Sequence, residues 1–209
     1  MNLAGRLDNN MKLICQYAAK AVSRYSQVSG LRPTEMPEYF MPAYIFDKLG
    51  SKLTMTLESS SKQLIGWNEE RRQKLRAIPN VVRKSLEETL KSLDRNGRID
   101  LVVFDGSSSK KNSEGILLMV EFKKHETGRG SADDRNKLLR VLDYIETCPA
   151  GAVCYLVDAM PDSEVIRDHK KFAGNDKWYC EPVPGLGDKA KKGYSVCARL
   201  FERHPKVAA

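Results

Sequence analysis

The chain predicts a mixed α/β fold, a central mixed β-sheet flanked by helices, and three observations carry that reading. Two short apolar runs, Ile99-Asp100-Leu101-Val102-Val103-Phe104 and Ile116-Leu117-Leu118-Met119-Val120-Glu121-Phe122-Lys123, are separated by the turn-rich stretch 106–115 and read as neighbouring strands. A helical pattern over about 132–147 stands between the second run and a third, Gly151-Ala152-Val153-Cys154-Tyr155-Leu156-Val157. Strand, helix, strand at this spacing implies a crossover and a parallel pair. Further helical patterns come before the strands, and more strands follow them.

Taken in order, residues 11–28 place Leu13, Tyr17, Ala21 and Tyr25 four apart, with Ile14, Ala18 and Val22 alongside, which is an amphipathic helix ended by Gly30 and Pro33. A second helix is expected to start behind Thr34 as cap, with Glu35 behind it and Pro37 in its first turn, and to present Tyr39, Phe40, Ala43, Phe46 and Leu49 before Gly50. Pro42 has to be an early position of that helix or kink it. Lys52-Leu53-Thr54-Met55-Thr56-Leu57-Glu58 alternates as a strand with one wet face, and Ser59-Ser60-Ser61 is expected to break it. Residues 68–94 are rich in helix formers divided by Pro79, and Asn96-Gly97 turns into the Asp100 strand.

Past Lys123, a polar loop 127–131 leads to the helix of about 132–147, with Ser131 as expected cap, Asp133 and Asp134 at its positive end, and Leu138, Leu142 and Ile145 inward. A short helix near 163–172, a strand around 178–183 and a closing strand near 194–201 complete the chain. One domain of 209 residues is expected, with a core over about 35–158, a helical insertion over about 60–96 and a C-terminal extension over about 159–209.

No apolar run is long enough to span a membrane, and the first residues lack the pattern of a secretory signal, so a cytoplasmic protein is expected. The five cysteines (15, 148, 154, 180 and 197) include no Cys-x-x-Cys pair and the three histidines are scattered, which argues for reduced thiols and against structural zinc. The formal charge of +8 favours a polyanionic partner through counterion release, without choosing which. Trp67–Arg76 combines an aromatic with four cations and suits either a nucleic-acid grip or an ordinary solvated helix anchored at Trp67.

The acids inside the strands are the informative residues. Strand interiors seldom hold a carboxylate, because removing it from water is costly unless a cation or hydrogen bonds compensate. Side chains alternate along a strand, so Glu121 and Lys123 share a face and Phe122 takes the other. If the two strands pair, Asp100, Glu121 and Lys123 converge at one rim of the sheet. Two carboxylates there can hold a hard divalent cation, and an amine beside them can orient a water or stabilise charge, acting as base if its pKa is depressed. The plain alternative is a solvent-facing strand end with Asp100 paired to Arg98.

Taken together, the element order over 35–158, Asp100 on one strand and Glu121-Phe122-Lys123 on the next resemble the PD-(D/E)xK superfamily, the restriction-endonuclease-like nucleases. One departure is that Ile99, not Pro, precedes the Asp. The resemblance implies a restriction-endonuclease-like core with a helical insertion between its first and second strands. It also implies Asp100 and Glu121 as metal ligands, Lys123 as the catalytic lysine, and Glu38 in Pro37-Glu38-Tyr39-Phe40 as a further catalytic acid and ligand from the first core helix. The implied cofactor is Mg²⁺, with Mn²⁺ able to substitute, and the implied activity is a metal-dependent endonuclease on DNA, in defence or DNA processing. Glu38 has an equally good alternative as a first-turn acid at a helix N-terminus. Glu58 reads either as a strand-end acid or as a partner of Arg98; His125 reads as a loop histidine. Lys137 and Arg140 suit phosphate contact or a solvated helix face. A noncatalytic nucleic-acid-binding or assembly module on the same fold, and an RNase, stay open, as does a homodimer or a partner protein.

Overall fold

A computed structural model describes residues 2–60, 98–105, 115–124, 128–144, 148–172, 174–186 and 193–202 of the 209. The expected insertion around 60–96, with Trp67–Arg76, the turn at Asn96-Gly97 and His125, lies outside them but for residue 60. Among the described residues six strands make one mixed sheet in the order β1-β2-β3-β4-β6-β5. They are β1 (Thr54–Ser60), β2 (Arg98–Phe104), β3 (Ile116–Lys123), β4 (Ala150–Val157), β5 (Lys177–Pro182) and β6 (Ser195–Glu202). β3 and β4 run parallel, and every other neighbouring pair is antiparallel. Helix α3 (Gly128–Tyr144) connects the parallel pair, as the strand–helix–strand pattern requires.

Helix α1 (Leu3–Ser29) and helix α2 (Phe40–Leu49) cover one face of the sheet. Leu7, Met11, Ile14, Cys15, Ala18 and Val22 are spaced by four or three and are all buried, which gives α1 a single inward stripe. Asn2 Oδ1 accepts the Gly5 amide at 2.9 Å, and Gly30 closes the helix in the left-handed conformation (φ 71°) that glycine adopts without strain. Pro42 is the third residue of α2, where a missing N–H leaves no broken helical bond.

Beneath the other face lie α3 and helix α4 (Glu164–Phe172), packed on a second cluster that holds Val102, Met119, Val153, Leu138, Leu142 and Ile166. β4 is buried along its whole length and is therefore a central strand with no polar alternation. Gly151 in β4 is a point of close approach: a Cβ there would come 2.8 Å from the Phe201 ring and 3.4 Å from Leu138 Cβ. The bare backbone lets α3 settle onto β4 and, with it, the N-terminal half of α3 onto the end of β3.

Beyond β4 the described residues extend the sheet through β6 and β5. Asp176 anchors this extension to α3, accepting from Arg135 at 3.1 and 3.3 Å and from Arg199 at 3.1 Å. No disulfide joins any of the five cysteines. No described helix is long and apolar enough to cross a membrane.

Several element boundaries differ from the sequence expectation, and α1 begins at Leu3 instead of near residue 11. β1 continues to Ser60 instead of breaking at the serines, because Thr56 Oγ1 and Ser59 Oγ hydrogen-bond at 2.8 Å and Ser59 is buried. The stretch Pro33–Glu35 forms a 3-10 turn, with Glu35 Oε2 accepting the Arg32 amide at 2.8 Å, so Thr34 caps nothing and α2 starts only at Phe40. Helix α3 starts at Gly128, so Ser131 lies within it and is not its cap. Glu58 departs from ordinary strand geometry, with φ +50°, at the point where the β1–β2 register skips the pair opposite Asp100. Its carboxylate takes Arg98 at 3.1 Å, which decides between the two roles considered for Glu58.

Gly151→Val is expected to lower stability by about 1–3 kcal/mol through overpacking against Phe201 and Leu138. A fall of the urea midpoint with an unchanged slope checks it.

Candidate active site

The antiparallel register of β2 and β3 runs from Phe104 to the pair Leu101–Val120, so one more step sets Asp100 opposite Glu121. The ladder gives way there to a side chain: Asp100 Oδ2 accepts the Phe122 amide at 2.7 Å. Glu121 and Lys123 share the face of Met119, which belongs to the cluster under α3, while Val120 and Phe122 belong to the cluster under α1 and α2. Asp100, Glu121 and Lys123 thus meet on the α3 side of the sheet, at the end of β3.

Two residues of α3 complete the cluster. Lys137 Nζ donates to Glu121 Oε1 at 2.6 Å and to the Arg98 carbonyl at 3.0 Å. Asp134, one turn earlier, has its Oδ2 3.1 Å from Lys123 Nζ. Glu38 stands in the turn just before α2, not on the helix, with Oε2 3.9 Å from Lys123 Nζ and Oε1 accepting the Lys124 amide at 3.3 Å. Glu121 is 3% exposed and Lys137 12%, whereas Lys123 keeps 27% of its side chain in contact with solvent.

The electrostatics follow from this burial. Loss of water raises the Asp100 pKa above the ordinary carboxylate value, against the pull of the Phe122 amide and of Glu121. Glu121 is pushed up to about 8, by burial first and the facing Asp100 carboxylate second, although Lys137 opposes both. For Lys123, burial alone would lower the pKa, but the carboxylates of Asp134, Glu38 and Glu121 outweigh it and the net direction is upward. Lys123 is therefore an ammonium at neutral pH, and the depressed pKa that a general base needs is not its state here.

A hard cation suits part of this donor set. Mg²⁺ binds through one or two carboxylates and keeps several waters, and a second carboxylate that pushes Glu121 upward is relieved by positive charge. Asp100 and Glu121 supply that pair. Among the described residues no group of three or more His, Cys, Asp or Glu side chains is arranged to hold a metal ion, and the contacts of the Glu38 carboxylate are with Lys123 and the Lys124 amide.

Asp134 and Lys137 escaped the sequence reading as members of the site. The signal was present: they fall one turn ahead of Leu138, Val141 and Leu142, at positions that continue the inward stripe of the helix toward its N-terminus. Charged residues there are turned to the sheet, and the sheet end opposite them is where the strand acids stand. Arg140, by contrast, is exposed.

A carboxyl with a raised native pKa makes the folded state hold a proton that the unfolded chain has released, so stability falls as pH rises between the two values. For Glu121 that window runs from the usual 4.5 to about 8. The metal-free melting temperature is expected to decline across it, and Glu121→Gln to flatten the decline, as thermal scans at a series of pH values would show. Comparison with protein-family models, curated proteins and solved structures finds no match for this chain, which leaves the chemistry of these side chains to carry the functional reading.

Proposed function

We propose that the chain is a metal-dependent nuclease that hydrolyses phosphodiester bonds in DNA, on a restriction-endonuclease-like core. The observation that carries this is the meeting of Asp100 and Glu121 across β2 and β3, with Lys123 on the same face. The order helix, three strands, helix, strand, with the third and fourth strands parallel, agrees with the core that the resemblance implies. The formal charge of +8 supports a polyanionic substrate.

On this reading Asp100 and Glu121 hold the Mg²⁺, which supplies Lewis-acid polarisation of the phosphate and a bound water of lowered pKa. Asp100 is oriented for that task by the Phe122 amide, which fixes one of its oxygens. Lys123 keeps its proton, so its contribution is a fixed positive charge beside the developing charge on phosphate. Asp134 and Glu38 hold the Lys123 ammonium from α3 and from the α2 turn. Glu38 acts there as a positioning residue.

A second reading has its own observation. The Glu121–Lys137 ion pair satisfies a buried carboxylate without a metal, as a noncatalytic nucleic-acid-binding module on the same fold would require.

Incubation with supercoiled plasmid and, in parallel, with RNA, with and without Mg²⁺ or Mn²⁺, separates the readings. Nicking that depends on the ion and is lost in Asp100→Asn supports the nuclease. Gel retardation without cleavage of either polymer supports the binding module, and cleavage of RNA alone reassigns the substrate. Lys123→Ala is expected to lower the cleavage rate by about a hundredfold or more while leaving retardation within about twofold.

A further inference from the structure

A lysine is rarely taken out of water unless something pairs with it. Lys137 reaches from α3 to the sheet with 12% of its side chain exposed, and its ammonium is shared between Glu121 Oε1 at 2.6 Å and the Arg98 carbonyl at 3.0 Å. The first of these acceptors is at the end of β3 and the second at the start of β2, so the ammonium lies where the two strands end their pairing. Asp100, beside Glu121, also feels its charge. Lys123 does not compete for this place, since Asp134 and Glu38 are its contacts.

We infer that Lys137 is the resident counterion of the Asp100–Glu121 pair and that it must give up Glu121 before a divalent cation can bind there. This rests on the assignment of Asp100 and Glu121 as the ion-holding pair, but on no assumption about what is cleaved. An incoming cation has to share the Glu121 carboxylate with Lys137, and its charge repels the ammonium. The lysine therefore sets the metal requirement of the site: it compensates the buried acids where they ionise without the ion and weakens apparent affinity by the cost of its own displacement.

The test uses the full chain and Mn²⁺ alone, with free ion measured by electron paramagnetic resonance. Lys137→Met and Lys137→Gln are expected to bind Mn²⁺ about tenfold more tightly than the unaltered protein, a coupling in the ordinary range between two mutually exclusive cations. Glu121→Gln should abolish the gain in both backgrounds. Circular dichroism identifies any variant that fails to fold. A second measurement needs no substitution at all: the rate at which a soluble acetylating reagent modifies the Lys137 amine, read by mass spectrometry of its peptide. That rate should rise severalfold at saturating Mn²⁺. Equal or weaker Mn²⁺ binding by a folded Lys137 variant, an acetylation rate that Mn²⁺ does not change, or no Mn²⁺ binding by any of these proteins overturns the inference. Tighter binding by the variants together with an absence of plasmid cleavage would sink the nuclease reading and leave the counterion role standing.

Discussion

Glu121 is a carboxylate placed near the middle of a six-stranded sheet with almost none of its surface in water. An uncompensated charge in that position would cost several kcal/mol, and breaking such a buried pair by removing one partner commonly costs about 3–5 kcal/mol. The arrangement around it follows from that constraint. Helix α3 has to deliver an ammonium to the end of β3, which fixes the helix's rotation as well as its distance. Gly151 removes the side chain that would hold the helix off. Asp176, gripped by Arg135 and Arg199, holds the same turn of α3 to the C-terminal strands, so the extension beyond β4 helps to aim the helix that completes the cluster.

Much of this architecture was legible because it depends on patterns with a definite period. The apolar runs of β2, β3 and β4 and the stripe of α1 follow from residue spacing alone, and the acids at 100 and 121 stand out because they interrupt such runs. What escaped depends on partners distant in sequence. Gly128-Arg129-Gly130 carries no helical preference, so the first turn of α3 could not be read from local signals. For Lys137 the sequence leaves phosphate contact and a solvated helix face open, and neither names Glu121, because that partner lies on a different element. For Glu38 the sequence suggests a position on the helix, but the 3-10 turn ahead of it delays the helix start to Phe40, and its carboxylate reaches Lys123 and the Lys124 amide.

The two lysines divide the work that the sequence had given to one. Lys123, partly open to solvent and held by acids from two elements, is poised toward whatever approaches the rim. Lys137, enclosed beneath α3, faces the strand acids. That α3 contributes both Asp134 and Lys137, one turn apart, means a small rotation of the helix would alter both ammonium contacts together.

Among the described residues four carboxylates (Glu38, Asp100, Glu121 and Asp134) surround two ammonium groups, so with all of them ionised this corner is electronegative within a chain whose formal charge is +8. A nucleic-acid backbone drawn in by the wider field would meet its own sign at this point, and one divalent ion would cancel the deficit. On the proposed reading, ion and polymer are therefore linked partners. Each strengthens the hold on the other by an equal factor, so apparent metal affinity depends on whether the polymer is already in place.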